Sequence, residues 1–162
     1  MVARETLEDC VRVLARRLAI SIASVAVAVA GFASPAQAAT NPFTAAQACN
    51  NDFGGSWAYA SDGHRTISAD DGTKVGDVYL MYNGATGYNC VVTLKAVAVG
   101  TSSGVSATLT VQGSGSYTQS DNYKYYAARQ RSAADTCVKY SGEVLYGTMW
   151  EVAGRSTWGN CG

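Results

Sequence analysis

Beyond residue 39 the apolar residues of this chain recur with a period of two, and no 3.6-residue pattern persists, which restricts the chain to strands. The clearest case is Val105 to Gln112, with Val105, Ala107, Leu109 and Val111 on one face and Ser106, Thr108, Thr110 and Gln112 on the other. That is the signature of a half-buried antiparallel strand. Asp77 to Tyr82 alternates in the same way, and Asn89 to Val99 is a longer, more apolar run with Lys95 as its one charge. Between these two lies Asn83-Gly84-Ala85-Thr86-Gly87-Tyr88, whose Asn-Gly step and second glycine suit the positive φ angles of a hairpin turn, so the two strands are expected to pair. Further strands are expected at Ser56 to Ala60, Arg65 to Ser68, Tyr123 to Gln130, Thr136 to Tyr140, Val144 to Glu151 and Ser156 to Asn160. Turn chemistry separates them at Asp62-Gly63, Asp70 to Gly72, Gly100 to Gly104, Gly113 to Ser116, Asp121-Asn122 and Ser141-Gly142. One short helix fits near Thr44 to Cys49. The pattern predicts an all-β fold, a single antiparallel sandwich or barrel.

The segment before residue 39 has another character. Arg12, Arg16 and Arg17 lead into an apolar or small stretch from Leu18 to Ala33, and Pro35 breaks it before Ala36-Gln37-Ala38, a small-x-small cleavage site. Residues 1–38 read as a signal peptide of the general secretory kind, because Leu18-Ala19-Ile20 fits poorly after a twin-arginine pair. The lead-in from Met1 to Val11 is long and carries Glu5, Glu8 and Asp9, as a start codon placed too early would produce. Residues 39–162 then form one secreted domain, and nothing in them approaches the roughly 20 apolar residues of a membrane span. The leader takes four basic and three acidic residues with it, leaving eight against nine, a balance that disfavours nucleic acid as a partner.

Removing the leader also removes Cys10, so Cys49, Cys90, Cys137 and Cys161 remain, an even count that in an oxidising compartment implies two disulfides. Four cysteines allow three pairings. Cys49 with Cys161 and Cys90 with Cys137 is the favoured expectation, tying the two chain ends together and stapling two interior strands. With no Cys-x-x-Cys and no histidine beside a cysteine, neither a zinc site nor a thiol nucleophile is indicated.

Val78-Tyr79-Leu80-Met81-Tyr82-Asn83, followed by Thr86-Gly87-Tyr88-Asn89-Cys90-Val91-Val92-Thr93-Leu94, resembles the spore-associated protein A family of small secreted actinobacterial proteins. Asp121 to Tyr126, Cys137-Val138-Lys139-Tyr140-Ser141-Gly142 and Asn160-Cys161-Gly162 are similar to that family's later motifs, in order. The resemblance runs from Gly76 to Gly162. The chain departs from it at Ala128-Arg129-Gln130-Arg131, where members carry Gly-Pro-Val, and at Tyr140-Ser141, where they carry Trp-Gly. It implies an extracellular protein found with spores or aerial growth, and brings no catalysis with it.

Residues with chemical potential are few. Gly100-Thr101-Ser102-Ser103-Gly104 matches Gly-x-Ser-x-Gly, but a nucleophile elbow needs a helix after the serine, and here a strand follows. His64, in Asp62-Gly63-His64-Arg65, is the sole histidine and reads as a solvated turn residue. Asp70-Asp71 lacks the alternating oxygens of a calcium loop. No catalytic residue, metal ligand or cofactor is therefore assigned. The aromatic residues carry more: Tyr117, Tyr123, Tyr125 and Tyr126 are candidate surface contacts, with alternation placing Tyr123 and Tyr125 on one face and Tyr126 on the other. The expectation is a secreted, non-catalytic protein that works by contact with a spore or cell-wall component such as polysaccharide. A carbohydrate-binding module is the alternative, and a small secreted hydrolase the third.

Overall fold

The structure is a computed structural model that describes residues 40–162. The expected leader, residues 1–38, lies outside them. Thr44 opens the only helix among the described residues, α1 (Ala45–Phe53), through a reciprocal capping box: its hydroxyl accepts from the Gln47 N–H at 3.2 Å, while the Gln47 side chain accepts from the Thr44 N–H at 2.8 Å. Gly54 closes it at φ 71°. Eight strands follow: β1 (Ala58–Ser68), β2 (Lys74–Asn83), β3 (Tyr88–Lys95), β4 (Ser103–Val111), β5 (Gly115–Tyr123), β6 (Tyr126–Ser132), β7 (Val138–Tyr146) and β8 (Met149–Gly159).

They form two four-stranded antiparallel sheets, sheet A in the order β1-β2-β3-β6 and sheet B in the order β5-β4-β7-β8. The fold is thus a sandwich rather than a barrel. Its main core lies between the sheets, with Val78, Leu80 and Val91 facing Val105, Leu109, Val138 and Val144. A second apolar layer lies on the far side of sheet A, where Ala45, Ala48, Cys49 and Trp57 cover Met81, Cys90, Val92 and Ala128. Both faces of β2 and β3 are therefore buried, which explains why Asn89 to Lys95 reads as a nearly continuous apolar run.

Several sequence expectations are corrected. The disulfides are Cys49–Cys90 and Cys137–Cys161, not Cys49–Cys161 and Cys90–Cys137. The first ties α1 to β3; the second holds the segment after β8 against the start of β7. The β2–β3 hairpin forms, but its one positive φ is at Gly87, and the Asn83 side chain caps the turn by accepting from the Ala85 N–H at 3.0 Å. The third strand ends at Lys95, short of Val99. The stretches 56–60 and 65–68 belong to one strand, β1, interrupted by a bulge with Asp62 at φ 51°. That bulge is pinned from sheet B: Tyr140 donates to the Asp62 carbonyl at 2.9 Å, while the Asp62 carboxylate takes two hydrogen bonds from Arg65 and faces Arg155 at 3.9 Å.

Ser141-Gly142 is not a turn but the middle of β7, and the expected strand 144–151 is broken at Gly147, φ 61°, where β7 folds back into β8. The remainder of β8 absorbs the strand expected at 156–160. β5 was not foreseen, because its inward face (Tyr117, Gln119, Asp121, Tyr123) and its outward face are both largely polar. The expected strand 123–130 is likewise two elements, since Lys124-Tyr125 carries the chain from sheet B to sheet A.

Candidate functional site

The four tyrosines singled out from sequence are all half-buried. Tyr117 and Tyr123 hang from β5 over the inter-sheet core; the Arg131 guanidinium lies 4.1 Å above the Tyr117 ring, and Gln119 donates to the Tyr123 hydroxyl. Tyr125 and Tyr126 grip the segment before α1. Phe43 meets both rings edge-on at 5.3 Å, Asn41 donates to the Tyr125 carbonyl at 2.8 Å, and the Tyr126 hydroxyl donates to Asp52 at 2.9 Å. Burial, together with the neighbouring Asp52 carboxylate, pushes the Tyr126 hydroxyl above the usual tyrosine range. Tyr123, Tyr125 and Tyr126 do converge, with Arg129, on a shallow cleft of about 330 Å³. They line it as packed edges rather than as a free aromatic surface, because the strand alternation that separated them does not cross from one sheet to the other.

His64 is a strand residue rather than the turn residue expected. It lies on the outer face of β1, stacked on Tyr79 at 4.5 Å, with Nε2 2.9 Å from Asp77 Oδ1. Asp77 is shared with Lys74 at 2.7 Å and with the Thr66 hydroxyl at 3.1 Å. Ser102 donates to the Asn122 carbonyl at 3.0 Å in the connection into β4, with no helix behind it. The serine is therefore held apart from the histidine–carboxylate pair, by a local partner of its own.

The outer face of sheet B carries features the sequence reading passed over. Register places four rows across its strands: Asn122, Gly104, Leu145 and Trp150; then Ser120, Ser106, Glu143 and Val152; then Thr118, Thr108, Ser141 and Gly154; then Ser116, Thr110 and Lys139, beside which Trp158 stands. Hydroxyls on β4 bond sideways to those of β5, Thr108 to Thr118 and Thr110 to Ser116, each at 2.8 Å, which fixes them in one plane.

Trp150 is 46% exposed and lies across Gly104, where a Cβ would come within 2.6 Å of its ring. Trp158 is 41% exposed, with the Lys139 ammonium 4.3 Å over its ring. Between the two tryptophans Gly154 leaves a dip of about 470 Å³ edged by Ser141, Val152 and Ser156. No described element covers this face, since α1 packs on sheet A. Two signals were available for it in the sequence: the alternation Trp150-Glu151-Val152, and the rarity of tryptophan, with three in the chain, of which Trp57 is buried.

Compared with known proteins, the chain matches no family model, and no curated protein or solved structure is significantly similar to it.

Proposed function

We propose that this is an exported protein that works by contact rather than turnover, lying against the surface of a cell or spore through the outer face of sheet B. The observation that carries the reading is the make-up of that face: in-plane hydroxyls, two part-exposed tryptophans and two charges of opposite sign set two rows apart, Lys139 and Glu143, on a sheet nothing described covers. Such a surface suits a broad, neutral, polyhydroxylated partner. Aromatic planes supply apolar contact at low entropic cost, and hydroxyls replace the partner's bonds to water. The resemblance to the spore-associated family points to the spore as the surface. The part-exposed tryptophans favour, as a second reading, a carbohydrate-binding module for wall or sheath polysaccharide. The His64–Asp77 pair is assigned no catalytic step, because it stands on open sheet and the hydroxyl bonded to it, that of Thr66, meets Asp77 rather than the imidazole.

Co-sedimentation of the purified protein with spores, washed mycelium and isolated insoluble wall polysaccharide tests this. Trp150→Ala and Trp158→Ala should each weaken association by about 1–3 kcal/mol, roughly 5- to 150-fold, with near-UV circular dichroism showing that the variants fold. His64→Ala should associate as the parent does. A folded Trp150→Ala/Trp158→Ala double variant that sediments normally, or a hydrolytic activity abolished by His64→Ala, would overturn the reading.

A further inference from the structure

A second site lies at the end of the sandwich, apart from the sheet-B face. Here Tyr82 and Asn89, from the inner faces of β2 and β3, meet Ser61 of the β1 bulge and Asn160 beyond β8 around a cleft of about 260 Å³, with Tyr59 at its border. Three properties mark it as built. Each asparagine is chain-adjacent to a disulfide cysteine, Asn89 to Cys90 and Asn160 to Cys161, so both amides are held by covalent anchors. Both amides also have unused capacity. Asn160 donates to the Ser61 carbonyl at 3.1 Å, yet its buried Oδ1 has no partner; Asn89, only 2% exposed, makes a single long bond, to the Met81 carbonyl at 3.4 Å. A buried acceptor without a donor is costly, and one explanation for Asn160 Oδ1 is a ligand that supplies the donor. Finally, Tyr82 is 38% exposed in an otherwise well-packed strand, and no side chain lining the cleft is charged.

We propose that this cleft binds one neutral pyranose ring, a hexose or N-acetylhexosamine unit of a glycan. The volume falls below the roughly 300 Å³ at which drug-sized pockets begin, so a single ring is the size of occupant it takes. The apolar face of a sugar packs on the Tyr82 ring, and one of its hydroxyls donates to Asn160 Oδ1. The lining offers no basic side chain, which selects against sugar acids and phosphosugars, since they would be desolvated without a counter-charge.

The test is a protein-observed NMR titration of the purified, disulfide-bonded protein with methyl β-glucopyranoside, methyl α-mannopyranoside, methyl β-galactopyranoside and N-acetylglucosamine, with glucuronate as the charged control. At least one neutral sugar should give saturable shifts centred on Tyr59, Tyr82, Asn89 and Asn160, with glucuronate weaker. Tyr82→Ala should weaken binding at least roughly tenfold. Asn160→Gly should do the same while suiting the φ of 51° at that position, so its fold is retained even where the tyrosine variant proves unstable. Trp150→Ala should leave these titrations unchanged, so failure here and failure of the sheet-B contact are read separately. No saturable shift from any neutral sugar up to about 100 mM, shifts centred elsewhere, or a folded Asn160→Gly that binds like the parent would overturn the proposal.

Discussion

Lys95 shows how one residue can be conspicuous in sequence and intelligible only in three dimensions. It is the single charge in an apolar strand, and it is 1% exposed. Among the described residues its ammonium finds no carboxylate; it donates to the carbonyls of Thr101 at 2.8 Å and Tyr123 at 3.0 Å and to the Ser103 hydroxyl, lacing the β3–β4 connection to the end of β5. Burial lowers its pKa. The stability consequence has a definite sign. Below the folded pKa both states carry the proton, and folding bears the full cost of burying the charge; between the folded value and the ordinary one of about 10.4, the unfolded chain binds more protons, so stability rises with pH. Lys95→Met should lack that rise. Urea midpoints from pH 7 to about 9.5, short of tyrosine ionisation, should show the parent gaining on the variant. Parallel profiles would show that Lys95 keeps its ordinary pKa in the fold.

At the scale of elements, glycine explains most of the differences between the expected strands and the observed ones. Gly147 reverses the chain where a strand was expected, whereas Gly142 sits in mid-strand where a turn was expected. The local signal is the same residue type; the reason differs. Gly147 supplies a positive φ, but Gly142 faces the opposite sheet, where a Cβ would collide with the Thr93 hydroxyl and lie 2.7 Å from Val78 Cβ. Gly142→Ala should accordingly destabilise the fold by about 1–3 kcal/mol, measured as a lower urea midpoint at unchanged slope. A neutral outcome would mean that the sheets can part at that point without loss. The strongly alternating β4 was legible in sequence because it buries one defined face, and the β2–β3 pair because two apolar runs flank an Asn-Gly turn. β5 was not legible, since an edge strand with a hydroxyl-rich outer face and a polar inner one offers no periodicity.

At the scale of the molecule, the disulfides close loops of 41 and 24 residues, worth about 4 and 3.5 kcal/mol in the chain-entropy model. Reduction should therefore remove a large part of the 5–15 kcal/mol typical of a domain, visible as a steep fall in Tm. Mapping of unreduced proteolytic peptides should join Cys49 to Cys90 and Cys137 to Cys161; a peptide joining Cys49 to Cys161 would contradict the fold described. The all-β class, a short helix near Thr44 to Cys49, the central hairpin and the even cysteine count follow from the sequence alone, because each rests on periodicity, local backbone preference or composition, and these act over a few neighbouring residues. The cysteine pairing, the choice of sandwich over barrel, the exposure of Trp150 and Trp158 in place of the clustered tyrosines, and the meeting of Asn89 with Asn160 were decided by tertiary structure. All of them depend on which strands lie side by side and which faces are covered, contacts between residues tens of positions apart that no local pattern encodes.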